Sequence, residues 1–300
     1  MTPISPRISR AIESIGQDRT HGASWLARDA ANVLTHWLEE CPAQTAAEFL
    51  SHLREVATAL AQAQPSMAAV SNAVGAVVYA AGEKAPGGLP AMRRAALARA
   101  RQIIHGWEKV CQRIVRRAER ALPAGVIMTH SYSATTFAVL ERLASKGSPI
   151  IVTESAPLNE GRTTARLLAR LSAPVTLISD AQAAAFMPEA AAVLVGADTV
   201  FANGAVVNKV GTCALALIAR NARVPFYVAT ETLKVAPGRP VAAQDAPEQR
   251  QRGLTTPAVY FDLTPPRLLT ALITEEGVFA PREIRPLATR PRQYRKALAL

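Results

Sequence analysis

Between Gly196 and Thr212 the chain reads GADTVFANGAVVNKVGT, placing a carboxylate (Asp198), a carboxamide (Asn208) and an ammonium (Lys209) within about a dozen residues. A carboxylate desolvated enough to exchange protons near neutrality is a general acid or base. An amide beside an ammonium suits an oxyanion such as a phosphate. The stretch follows an apolar strand, Val193-Leu194-Val195, and turns at Asn203-Gly204, a dipeptide that tolerates φ > 0. It runs on into a helical pattern at Val210, Ala214, Leu217 and Ile218. All three groups are expected at one edge of a sheet. The plainer alternative is a capped strand, a hairpin and a helix start with solvated Asp and Lys.

Other short apolar runs end in the same kind of residue. Val126-Ile127-Met128 leads to His130, Ser131 and Ser133, and Ile150-Ile151-Val152 leads to Glu154. Ser131 and Ser133 can cap the next helix, whose free N–H groups suit a phosphate; a simple N-cap explains them equally well. Gly161-Arg162 puts a cation at a further helix start. No G-x-G-x-x-G follows the first strand and no G-x-x-x-x-G-K-S/T occurs, so no nucleotide is specified. His130 adjoins Ser131, but there is no G-x-S-x-G elbow for a serine triad. Cys41, Cys111 and Cys213 are far apart, and the five histidines contain no H-x-x-x-H pair. Neither a protein-built metal site nor a bound cofactor is expected.

The elements that must position these groups change character once. From residue 8 to about 122 the apolar residues recur at helical spacing: Leu26, Ala30, Val33, Trp37; Phe49, Leu53, Val56, Leu60; Met67, Val70, Val74, Val77. Pro42, Pro65 and Ala85-Pro86-Gly87-Gly88 separate them, and a long helix follows from about Pro90 to Leu122. After Pro123 the rhythm is short apolar run, polar turn, helix. Runs at 126–128, 150–152, 175–178, 193–195, 226–228 and 259–261 are the expected strands, the last two preceding Glu231 and Asp262. Strands alternating with helices predict an α/β domain with a mainly parallel sheet, whose carboxyl edge is where ligands bind. The expected domains are 1–122, helical, and 123–300, α/β.

Composition narrows the classes further. An apolar share of 49% describes a globular chain, and no run reaches the length of a membrane span. The first residues, MTPISPRISRAIESI, hold no apolar stretch of a secretory signal, and the sparse cysteines suit reduced thiols, so a cytoplasmic protein is expected. The formal charge of +11 gathers at Arg93–Arg120 and Arg282–Lys296. In the first segment, Leu97, Ile104, Cys111, Ile114 and Ala118 form the opposite, apolar stripe. Aromatic residues are only 5% of the chain, too few for stacking platforms, which argues against a nucleic-acid partner and for anionic small molecules or an acidic surface.

Several of these stretches carry a resemblance. THSYSATTFAVLERLASKG, VTESAPLNEGRTTARLLA, PVTLISDAQAAAFM, GADTVFANGAVVNKVGTCALALIA and PFYVATETLKV resemble the family of the alpha, beta and delta regulatory subunits of eukaryotic translation initiation factor 2B. That family includes ribose-1,5-bisphosphate isomerase and methylthioribose-1-phosphate isomerase. The similarity covers nearly all of 123–280; in the helical half it rests on DRTHGAS at 18–24 and on Gln64-Pro65-Ser66-Met67. It implies a helical N-terminal domain, a Rossmann-like C-terminal domain, and a homodimer or higher homo-oligomer.

The resemblance also implies roles. Asp198 matches the catalytic aspartate of the isomerases, and Asn208 and Lys209 match their substrate-binding pair. Ser131 stands where they present a catalytic cysteine. His21-Gly22-Ala23 occupies the phosphate-cradling loop, usually Arg-Gly-Ala, and Gln64 replaces an arginine. With Ser133, Glu154 and Arg162 these complete the expected phosphosugar site. The expectation is a protein that binds a phosphorylated sugar or nucleotide, with weak or altered aldose–ketose isomerase activity at most. The alternative is a regulatory or assembly subunit of a guanine-nucleotide exchange factor in translation initiation.

Overall fold

The computed structural model describes residues 4–18, 20–171, 173–238, 246–251 and 254–300. The first half holds α1 (Pro6–Gln17), α2 (Ala23–Glu40), α3 (Ala46–Ala63), α4 (Ala68–Gly82) and α5 (Gly88–Ala121). Then follow β1 (Val126–His130), α6 (Ala134–Ala144), β2 (Ile150–Thr153), α7 (Glu160–Ala169), β3 (Val175–Ile178), α8 (Ala183–Phe186) and β4 (Ala190–Val195). After these come β5 (Thr199–Phe201), β6 (Val206–Lys209), α9 (Thr212–Asn221), β7 (Phe226–Ala229) and β8 (Val235–Ala236). The chain ends with β9 (Ala246–Gln251), β10 (Leu254–Ala258), β11 (Phe261–Thr264), β12 (Ala271–Ile273), β13 (Val278–Phe279) and α10 (Thr289–Leu298). Two compact units result: Met1–Lys109 with Leu233–Pro237 and Leu287–Leu300, and Val110–Thr232 with Gly238–Pro286. The division falls inside α5, and the C-terminal helix clusters with the helical unit.

In the helical unit Ser5 caps α1, its hydroxyl accepting from the Ile8 N–H, and Pro6 sits in the first turn, where no donor is needed. Thr45 caps α3 through the Glu48 N–H. α4 is nearly apolar on every side, and such a helix has to be enclosed; it packs on α2, α3 and α10. Gly75 permits the approach of α10: a β-carbon there would lie 2.9 Å from Tyr294 Cβ. Asn72, buried within α4, donates to the carbonyls of Leu233 (2.7 Å) and Val235 (2.8 Å).

The sheet unit is doubly wound. Its strands run β3-β2-β1-β4-β7-β12, all parallel, with β13 antiparallel on the β12 edge. The order reverses between β1 and β4, the topology of a Rossmann-like fold; in open α/β sheets ligands bind at such a reversal, beyond the carboxyl ends of the strands. Ile127, Ile150, Val152, Ala192 and Leu194 pack with Val139 and Leu140 of α6, Leu168 of α7, and Ile114 and Ala118 of α5. β9 and β10 form a separate antiparallel pair.

One strand is not where the sequence suggested. Val259-Tyr260 precede a strand, β11, that begins at Phe261, contains Asp262 and pairs antiparallel with β6. The sixth parallel strand is β12, Ala271-Leu272-Ile273. The difference is burial: Ala271–Ile273 is buried throughout, as a covered parallel strand must be, whereas residues 259–261 are half exposed. Asn203-Gly204 does make the expected hairpin between β5 and β6, with Gly204 at φ +84° and no room for a β-carbon against Pro281.

Candidate functional site

β1 ends in a hydrogen-bonded histidine. His130 is buried; its Nε2 lies 2.8 Å from the Val210 carbonyl and its Nδ1 2.6 Å from Thr153 Oγ1. A carbonyl only accepts, so Nε2 carries the proton and Nδ1 accepts from the Thr153 hydroxyl. Burial, opposed by the Val210 hydrogen bond, pushes the His130 pKa below its ordinary value. With both nitrogens engaged, His130 is not a base for Ser131. Ser131 takes a left-handed backbone (φ +66°), its N–H donates to Ser155 Oγ at 2.6 Å, and its carbonyl accepts from Thr164 Oγ1 at 2.8 Å. The Ser155 and Ala156 N–H groups each donate to Asp180 at 2.8 Å. The ends of β1, β2 and β3 are thus tied into one network.

The β6 residues are brought to this network by close contact. Asn208 and Lys209 lie within β6, an antiparallel strand, and not in a turn of the parallel sheet. Val210 bonds to His130, and Gly211, at φ +101°, packs so that a β-carbon would fall 2.9 Å from His130 Cε1. Asn208 Nδ2 donates to Thr212 Oγ1 at 3.0 Å, and that hydroxyl donates to the Lys209 carbonyl at 2.6 Å. The buried Lys209 ammonium sits 2.6 Å from Glu160 Oε1, at the start of α7. Two residues on, Arg162 pairs with Glu154 at 2.6 Å, more exposed to solvent. Gly161 makes this possible, since any side chain there would strike the Thr153 carbonyl at the end of β2.

At the reversal point, Ser133 caps α6, its hydroxyl accepting from the Thr136 N–H at 3.3 Å. Gly196, just past β4, lies against that cap: a β-carbon there would be 2.8 Å from Ser133 Oγ. Asp198 follows, half-buried, its N–H donating to the Val207 carbonyl at 2.9 Å. Asp198, Ser131, Ser133, Glu154, Arg162, Asn208 and Lys209 therefore all belong to the sheet unit. All but Asn208 and Lys209 follow parallel strands or open helices at its carboxyl edge.

The other expected residues lie in the helical unit. Gly22 is the N-cap of α2, without a side-chain cap, and Ala23 is buried behind it. His21 is exposed, stacks on Trp25 with centroids 3.8 Å apart, and contacts Asp18 Oδ2 through Nδ1 at 2.6 Å. Although burial alone would raise it, bonds from His21 and Thr20 bring the Asp18 pKa down to about 2. Gln64 is buried, its amide nitrogen donating to the Ile15 carbonyl (2.8 Å) and reaching the Asp18 carbonyl (3.2 Å). That donor satisfies the end of α1.

Three acids outside the expected site set also take part in these contacts. Glu160 was hidden because nothing in the sequence pairs it with Lys209, 49 positions away. Asp262, expected after a strand, lies inside β11 and receives the Gly211 (2.8 Å) and Cys213 (3.1 Å) N–H groups at the start of α9. Burial pushes its pKa up, and those two bonds oppose the rise. Glu231, expected as a strand-end acid, is buried and accepts from the Thr135 hydroxyl of α6. Among the described residues no cluster of metal ligands occurs, and no helix is long and apolar enough to cross a membrane.

Comparison with known proteins agrees with this architecture. Residues 19–281 match the model of the initiation factor 2 subunit family. The chain is 32% identical to the ribose 1,5-bisphosphate isomerase of Haloferax volcanii over 304 residues, covering 94% of this chain and 91% of that protein. It is equally 32% identical to a putative translation initiation factor eIF-2B subunit 2-like protein of Pyrococcus furiosus, covering 92% and 97%. Among solved structures, the translation initiation factor eIF-2B of Pyrococcus horikoshii superposes with a TM-score of 0.78 at 28% identity, covering 92% and 98%. The 5-methylthioribose 1-phosphate isomerase of the same organism gives 0.70 at 25% identity, covering 94% and 87%. A doubly wound sheet unit, a helical unit and a family match across most of the length place this chain in the initiation factor 2 subunit family.

Proposed function

We propose that the sheet unit binds a phosphorylated sugar or nucleotide at the carboxyl ends of β1, β2 and β4, with weak or altered aldose–ketose isomerase activity at most. The observation that carries this is the reversal point: Asp198 and the Ser133-capped start of α6 lie there, and β6, which carries the buried Lys209, is joined to it by the Asp198–Val207 and His130–Val210 hydrogen bonds. An ammonium at low dielectric and a helix N-terminus hold a phosphate, and Asp198 supplies an acid/base group. Relatives named as isomerases of phosphorylated sugars support the same substrate class. Limited turnover follows from Ser131: a hydroxyl is a poor proton donor, and His130 is committed elsewhere. Assembly as a homodimer or larger homo-oligomer belongs to this proposal.

The same serine favours a second reading, a regulatory or assembly subunit of a translation initiation factor that senses the ligand without converting it. Calorimetry with ribose 5-phosphate, ribose 1,5-bisphosphate and AMP, paired with product detection by mass spectrometry, separates the two. Binding with slow conversion supports the first reading, and binding with none supports the second. Lys209→Ala should weaken binding by about 1–3 kcal/mol, the scale of a hydrogen bond to a charged group. No binding of any of the three would reject both.

A further inference from the structure

Both cations singled out in the sheet unit are already held by carboxylates. The Arg162–Glu154 pair lies near the surface, where solvent or ligand exchanges with it readily. Lys209 is different. Its side chain is 8% exposed, its ammonium is 2.6 Å from Glu160 Oε1, and it faces the rings of Phe261 (5.4 Å) and Tyr260 (5.8 Å). Glu160 opens α7, where the helix dipole favours a negative charge. Its side chain is 27% exposed, and its second oxygen, Oε2, is buried without a protein donor among the described residues. A buried acceptor left without a donor costs stability.

We propose that Glu160 is a specificity residue that stands in for the ligand's anionic group, occupying the ammonium a phosphate would otherwise take. The inference rests on the phosphorylated-ligand reading above. A phosphate arriving at Lys209 must turn Glu160 out of the pair and then lie close to the displaced carboxylate. That repulsion grows with ligand charge, so Glu160 discriminates against a doubly charged phosphomonoester more than against a singly charged phosphodiester. A glutamine at 160 keeps the shape and an acceptor for Lys209 while removing the competing charge.

The test is calorimetry of the full chain and its Glu160→Gln variant with ribose 5-phosphate and with the singly charged methyl ester of that phosphate. The variant should bind ribose 5-phosphate roughly tenfold tighter, about 1.4 kcal/mol, and the methyl ester with a clearly smaller gain. Adding Lys209→Met should erase the gain. A merely structural Glu160 would give weaker binding of both ligands. Unchanged or weaker binding of ribose 5-phosphate, or equal gains for both ligands, overturns the inference and leaves the proposed function standing. Should Glu160→Gln melt early, Glu160→Ala carries the same expectation. If neither protein binds either ligand, ribose 1,5-bisphosphate or AMP, this inference and the proposed function fall together.

Discussion

Gly211 and His130 meet across two strand ends: a β-carbon on Gly211 would lie 2.9 Å from His130 Cε1, while Val210 accepts from His130 Nε2 at 2.8 Å. This contact joins the β6 segment, with Asn208 and Lys209, to the parallel sheet. Gly211 also sits at φ +101°, where a side chain is strained whatever the space. Gly211→Ala should therefore destabilise the protein by about 2–3 kcal/mol, adding backbone strain to a clash with a buried ring. Urea unfolding measures it, and a change under 0.5 kcal/mol would show that the contact is loose.

His130 makes stability depend on pH. Burial lowers its pKa in the folded state below 6.5, so the unfolded chain binds the proton first. The stabilisation is complete above about pH 6.5 and declines as pH falls through that value toward the folded pKa. His130→Gln should flatten this part of the profile at some cost in stability at pH 8. Melting midpoints between pH 5 and pH 8 decide; parallel profiles for the two proteins would remove His130 as the cause.

In the helical unit, Asn72 holds the Leu233 and Val235 carbonyls. Asn72→Leu leaves two acceptors facing an apolar helix and should cost about 2–4 kcal/mol. Thermal unfolding measures the loss, and retention of the wild-type midpoint would mean that water replaces the amide.

Ser131 carries the catalytic prediction. Its left-handed backbone and its N–H bond to Ser155 accept a cysteine as readily as a serine. A thiol, with an ordinary pKa of about 8.5, is a far better proton donor than a hydroxyl. Wild type should convert little or no ribose 1,5-bisphosphate to ribulose 1,5-bisphosphate; Ser131→Cys should gain turnover, and adding Asp198→Asn should abolish it. Mass spectrometry of products at matched protein concentration is the assay. Robust wild-type conversion, or none in the cysteine variant despite binding, would refute the assignment.

The sequence by itself determined what local physics controls. Helical periodicity marked the first half, and the alternation of apolar run and helix after Pro123 marked a parallel sheet. Ser133 caps α6 and Asn203-Gly204 turns the β5–β6 hairpin because both act within a few residues. Only the tertiary structure decided the rest. Tyr260-Phe261 and Ala271-Leu272-Ile273 are both short apolar runs, and which one joins the parallel sheet depends on what covers its two faces. Gln64 looks like a binding residue in the chain, yet its donor is claimed by the carbonyls of α1, 49 residues earlier at Ile15. Lys209 looks like a free cation until Glu160 is folded against it. Hydrogen bonds and ion pairs between distant residues leave no periodic trace, so partners, unlike elements, appear only when the chain is closed.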